Sequence, residues 1–129
     1  MKTTAEIMIS ALMSEGVDTV FGIPGAQIYP IFDAIYNTQG KMKLIAPRHE
    51  QGAAYMALGY ARSTGRSGVF SVAPGPGVLN AGAGLCTEQG VNAPVMCLTG
   101  EIPSDFMGQG RGHLHELKNQ QETLQGIVK

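Results

Sequence analysis

The sequence predicts an α/β fold, a three-layer α/β/α arrangement about a mostly parallel, doubly wound sheet. Three observations predict it. Helix-like and strand-like segments alternate along the whole chain, which is the pattern of βα units. The strand-like segments are short and continuously apolar instead of alternating, so both of their faces are covered. The 18 glycines fall at the junctions between apolar segments and not in low-complexity tracts, where turns and close backbone approaches are made.

The elements follow in order. "TTAEIMISALMSEG" reads as a helix: Thr3 and Glu6 have capping-box spacing, and Gly16 stands where a helix C-terminus is closed. "DTVFGIPG" reads as a buried strand running into a glycine-proline loop. "AQIYPIFDAIYNT" has apolar positions at helical spacing, with Pro30 near its first turn. "MKLIA" is a second strand, and "EQGAAYMALGYARSTG" is a long helix ending at Gly65. "GVFSVA" is a third strand, "PGPG" a turn, "VLNAGAGLCTEQG" one helix of small residues, and "APVMCLTG" a fourth strand. The remainder reads as loop, then a short helix near Gln120 to Leu124. The closing "GIVK" resembles the start of a further strand, so residues 1–129 read as one domain cut short at its C-terminal end.

Composition excludes several classes. Nine basic and ten acidic residues give a net charge of −1. That balance is neither a nucleic-acid footprint nor a polybasic membrane surface. No run approaches the roughly 18 apolar residues that span a bilayer. The chain does not open on a basic region followed by a long apolar block, so no secretory leader is expected. Cys86 and Cys97 are too few for a disulfide scaffold and sit in apolar company. They read as small core residues of a reducing, cytoplasmic protein.

In a doubly wound sheet, ligands bind beyond the carboxyl ends of the strands. "GIPGAQ", "PRHEQG", "APGPGVLN" and "TGEIPSDFMGQG" all stand at such ends, so they are expected to converge on one edge. "GPGVLN" has the opening of a dinucleotide fingerprint, with Glu101 in a position to pose as its ribose-binding acid. Asn80 replaces the third glycine, however, and the motif follows the third strand instead of opening its unit. A tight turn with Pro76 near the helix start explains the glycines, but it does not explain Asn80, expected one turn into the helix. His49, His113 and His115 complete no zinc spacing with Cys or carboxylates, so no metal site is assigned. No serine sits on a nucleophile elbow. Glu50 is the informative residue. A helix N-terminal acid is ordinary, but this one is followed by Gly52, Ala53, Ala54, Ala57, Gly59 and Ala61, small residues that admit another backbone closely. Enclosed by such packing, its carboxyl is expected to be partly desolvated and raised in pKa, a proton donor or hydrogen-bond partner near neutrality.

Taken together, "VFGIPGAQIYPIFDAI", "PRHEQGAAYMALGYARSTGRSGVFSVAPGPGVLNAGAGL" and "APVMCLTGEIP" resemble the N-terminal, pyrimidine-binding domain of thiamine-diphosphate-dependent enzymes, in the acetolactate synthase and pyruvate oxidase group. The resemblance runs from about Thr4 to Lys129. It implies that Glu50 hydrogen-bonds the pyrimidine ring nitrogen and promotes the proton transfer that readies the cofactor to attack a 2-keto acid, with loss of carbon dioxide. It places Pro24, Gly25 and Ala26 in a loop lining the site, with Gln27 one residue on. It places Pro76, Gly77 and Asn80 at the turn and helix start that hold the pyrimidine. His49 is expected only to pack. The family holds the diphosphate through magnesium with a G-D-G segment of a separate domain, and that motif does not occur in this sequence. The resemblance therefore implies half of an active site, completed by the diphosphate-binding domain of another protomer in a homodimer or tetramer and inactive alone. FAD stays open as a further cofactor.

"MGQGRGHLHE" departs from the family, placing His115 before Glu116 where Gln-Glu is usual, in a segment that lies toward the substrate. Pyruvate is thus one candidate among small 2-keto acids. A decarboxylase of another keto acid or of an acyl-CoA, a non-catalytic module of the same fold, and a nucleotide binder built on "GPGVLN" are the alternatives. The small-residue helices, Gly52 to Ala61 and Ala81 to Leu85, suit either a subunit interface or tight packing on their own sheet.

Overall fold

The computed structural model describes all 129 residues. Helix α1 (Thr4–Ser14) leads into strand β1 (Thr19–Gly22), and α2 (Tyr29–Tyr36) into β2 (Lys43–Ile45). Helix α3 (Glu50–Thr64) leads into β3 (Gly68–Ser71), and α4 (Pro76–Asn80) with α5 (Gly82–Gly90) into β4 (Val95–Leu98). A 3-10 turn (Ser104–Phe106) and α6 (Gln120–Leu124) follow. The expected caps are present. The Thr3 hydroxyl accepts the Glu6 N–H at 3.2 Å, and the Glu6 carboxylate accepts the Thr3 N–H at 2.7 Å. Gly65 closes α3 in the left-handed conformation, φ 69°, which costs least in glycine.

All four strands are parallel in the order β2-β1-β3-β4. The order reverses between β1 and β3, so the chain is wound both ways from that point, as expected. Alternation along the strands sorts the core into two layers. Val20 and Val69 join Ile9, Ile28, Ile31 and Ile35 from the side of α1 and α2. Phe21 and Phe70 join Ala53, Ala57, Val78 and Leu85 from the side of α3, α4 and α5. Val20, Val69 and Phe70 have no exposed surface; burial of such a side chain contributes about 1.5–3 kcal/mol.

The small residues serve this packing. Ala53, Ala54, Ala57 and Ala61 of α3 are buried. A Cβ on Gly68 of β3 would strike the Ala57 carbonyl, and one on Gly84 of α5 would strike the Ala54 methyl. The alanine face of α3 is therefore core of this chain. At the opposite end of the sheet Asp18 gathers three donors: the Thr19 hydroxyl at 2.8 Å, the Tyr60 hydroxyl at 2.9 Å and the Arg66 guanidinium at 2.9 Å. Arg66 also donates to the Gly16 carbonyl, so the start of β1 is tied to the end of α3. These hydrogen bonds, with the Arg66 charge, hold the Asp18 carboxyl down at about 2.

Three expectations are corrected. The strands are not all covered on both faces: β2 is exposed throughout and β4 is only partly covered, because they are the two edges of a four-stranded sheet. The helix expected over residues 78–90 is two helices. Ala81, φ −79° and ψ −8°, bends the chain between them, so Asn80 closes α4 instead of lying inside a longer helix. Cys86 is exposed, on the outer side of α5, and only Cys97 is half-buried. Burial, and next the nearby Glu88, push the Cys97 thiol up to about 12.

Candidate active site at the strand carboxyl ends

The reversal between β1 and β3 opens the sheet at the carboxyl ends of those two strands. What leaves β1 there is the loop of Pro24, Gly25 and Ala26; what leaves β3 is the turn carrying Gly75, Pro76 and Gly77. The two meet around one methyl group. A Cβ added to Gly25 would lie 3.1 Å from the Ala73 Cβ, and one on Gly77 would lie 3.2 Å from it. Gly75 caps α4 with φ 61°, and Pro76 stands in the first turn, where its missing N–H costs nothing. Pro24, Pro76 and Asn80 are exposed, Gly25 and Ala26 half-buried, and Gly77 buried.

Glu50 is the first residue of α3. Its position is set by His49, the N-cap, whose Nδ1 accepts the Gln51 N–H at 3.2 Å. His49 thus does a capping residue's work, which its place before a helix could have signalled. The Asn80 amide donates to Glu50 Oε2 at 3.1 Å. This joins two residues that the sequence picked out separately and accounts for Asn80 at the end of α4. Glu50 is half-buried; the enclosure expected from its small neighbours is not made by this chain, since α3 turns its alanines to the sheet and α5 instead. Glu101 is occupied locally, its Oε1 accepting the Ile102 N–H at 2.8 Å, which leaves the ribose-binding reading without its acid.

The contacts that close this edge join residues too far apart along the chain to be read from its sequence. Buried Gln120, at the head of α6, accepts the Gly75 N–H at 2.7 Å and donates to the Gly100 carbonyl at 2.9 Å. Gln27 donates to the Leu114 carbonyl at 3.1 Å, and its Oε1 lies 2.8 Å from His115 Nδ1. His113 stacks on Phe106 with ring centres 4.6 Å apart. Residues 113–120 therefore strap the ends of β1, β3 and β4 together. A cavity of about 600 Å³ lies elsewhere, between α5, β4 and the last residues, lined by Leu85, Glu88, Cys97, Thr99, Leu124 and Val128 among others. None of the sequence-predicted site residues lines it.

A doubly wound sheet with glycine-proline turns at its reversal point and an amide-held carboxylate beside it has the layout of a ligand-binding α/β domain. Comparison with known proteins identifies which. The family model described as "Thiamine pyrophosphate enzyme, N-terminal TPP binding domain" matches residues 2–123, and the chain belongs to that family. It is 43% identical over 104 residues to the acetolactate synthase isozyme 2 large subunit of Escherichia coli (strain K12), covering 81% of this chain and 19% of that protein. It is 44% identical over 108 residues to an acetolactate synthase of Arthrospira platensis, covering 82% and 19%. It is 40% identical over 106 residues to the mitochondrial acetolactate synthase catalytic subunit of Saccharomyces cerevisiae (strain ATCC 204508 / S288c), covering 82% and 15%. The chain thus spans less than a fifth of these relatives' length.

Thiamine diphosphate suits the residues present. Glu50 Oε2 takes the Asn80 amide, while Oε1 has no partner within the chain and is free to meet a ring nitrogen. Gly25 and Gly77 let the two loops close on the Ala73 methyl.

Proposed function

We propose that the protein carrying this chain is a thiamine-diphosphate-dependent enzyme that decarboxylates a small 2-keto acid and joins the remaining fragment to a second carbonyl compound, as an acetolactate synthase does. The observation that carries this reading is the Asn80–Glu50 hydrogen bond at the β2–α3 junction. Bound cofactor supplies the carbon that adds to the keto group and holds the electron pair left by decarboxylation. This chain binds the pyrimidine. Asn80 fixes one oxygen of the Glu50 carboxyl, and the other is left to hold a proton against the ring nitrogen. Placement at the first turn of α3 keeps the carboxyl on a rigid element. The Pro24–Gly25–Ala26 loop and the Pro76–Gly77 turn set the ring's plane by shape. Magnesium and the diphosphate belong to a domain beyond this chain, contributed by another protomer of a homodimer or tetramer. The isolated chain is therefore expected to be inactive.

The departure at His115 leaves a second reading within the same chemistry, a decarboxylase of a larger keto acid or an acyl-CoA, because His115, held by Gln27 at 2.8 Å, stands where the family usually carries Gln-Glu. A bound FAD is compatible with either.

The test uses the intact protein with thiamine diphosphate, magnesium and a panel of 2-keto acids that includes pyruvate. Carbon dioxide release is expected to fall by about 10²–10⁴-fold in Glu50→Gln, the usual loss of a proton-transferring group. Equal turnover in wild type and variant would refute the role given to Glu50.

A further inference from the structure

Gln27 and His115 are held unusually firmly for two half-exposed residues on separate loops. Both have left-handed backbones, φ 66° and 69°, a conformation uncommon among non-glycine residues. Two glycines let their surroundings close in. A Cβ on Gly75 would strike the His115 carbonyl, and one on Gly100 would strike the Gln27 carbonyl. Gln120 then bridges the same two glycines.

The side chains carry a direction as well. The Gln27 amide donates through Nε2 to the Leu114 carbonyl. A carbonyl only accepts, so the amide cannot be turned over, and Oε1 is the atom that faces His115 Nδ1 at 2.8 Å. Oε1 in turn only accepts, so Nδ1 must carry a hydrogen. In the neutral ring the remaining nitrogen, Nε2, is then the bare one. No group of this chain bonds to it.

We propose that Gln27 is a positioning residue that fixes His115 as its Nδ1–H tautomer, so that Nε2 is the hydrogen-bond-accepting and proton-exchanging atom which the 113–120 strap brings to the strand-end cleft. This rests on the cleft being the active site, as proposed above. It concerns the substrate side, since the Glu50–Asn80 pair addresses the cofactor.

The test is spectroscopic and does not require turnover. The intact protein is labelled with ¹⁵N-histidine, and long-range ¹H–¹⁵N spectra are recorded at a pH where the ring is neutral, with His115→Gln identifying the signal by its loss. The expected result is a protonated Nδ1 and a bare Nε2. In Gln27→Leu the ring is expected to move toward the Nε2–H form that free imidazole side chains prefer, and in Gln27→Glu, whose carboxylate still accepts, to stay Nδ1–H. A wild-type ring protonated on Nε2, or a ring unchanged in Gln27→Leu, overturns the proposal. Should Gln27→Leu not fold, the wild-type and Gln27→Glu spectra decide it. Thiamine diphosphate binding, followed on the same samples by calorimetry, reports separately on the functional reading.

Discussion

Asn80 shows how one side chain can change the meaning of a motif. Read along the chain it spoils a dinucleotide fingerprint; in the structure its amide steadies Glu50. Asp18 makes the corresponding point about stability. Its three donors and the Arg66 charge depress its pKa to about 2 from 3.8. Because the folded value lies below the unfolded one, the contribution is fully present above about pH 4 and is lost as pH falls toward 2. The sites are largely solvent-exposed, so the effect is modest. Asp18→Asn is expected to lower the Tm at neutral pH and to leave little difference from wild type near pH 2, measured by circular dichroism melts across that range. The sequence could not show this cluster, since Asp18, Tyr60 and Arg66 are brought together only by the return of α3 to the sheet.

Among the elements, α5 is the one at odds with itself. It is short and rich in glycine, yet it buries Glu88 at 5% exposure with Oε1 unpartnered. Desolvation raises that carboxyl to about 7 from 4.5. The sign is opposite to that of Asp18. The folded chain holds the proton more tightly than the unfolded one, so stability declines as pH rises from 4.5 to 7 and stays reduced above it. Glu88→Gln is expected to flatten that decline, raising the Tm at pH 8 more than at pH 4.5. The elements themselves were largely legible: α1 and α3 stand where caps and closing glycines put them, and the short α6 at Gln120–Leu124 where it was expected. The break at Ala81 was not, because nothing in a run of glycine and alanine marks where a helix must bend to follow the sheet. Coverage of the strands was overestimated for a related reason. A short apolar run reads the same in the middle of a sheet and at its edge, and only the strand order tells β2 from β1.

At the scale of the whole molecule, the strand carboxyl ends bring the candidate site residues together, and this much followed from βα alternation alone. Glycine-proline turns at strand ends are visible in sequence; the strap that closes over them is not, because Gln27 and His115 lie 88 residues apart. Gln120 is the strap's anchor. Gln120→Ala would leave the buried Gly75 N–H without its acceptor, a loss of about 1–3 kcal/mol. Hydrogen exchange is expected to quicken in residues 113–124 while β1 and β3 stay protected. Uniform quickening across the chain would mean that the strap and the sheet unfold as one.

The uncovered edges of the sheet carry a consequence for handling the protein. An edge strand offers a row of unpaired amides to any other chain in solution. β2 carries Lys43, whose charge discourages such pairing. β4 consists of Val95, Met96, Cys97 and Leu98, with Met96 48% exposed and no charge among them. Aggregation of this chain on its own should therefore be polar, growing from one side of the sheet only. Concentrated samples of the isolated chain are expected to scatter light; Met96→Lys should lower that scattering, whereas an equivalent change on β2 should leave it nearly unaltered.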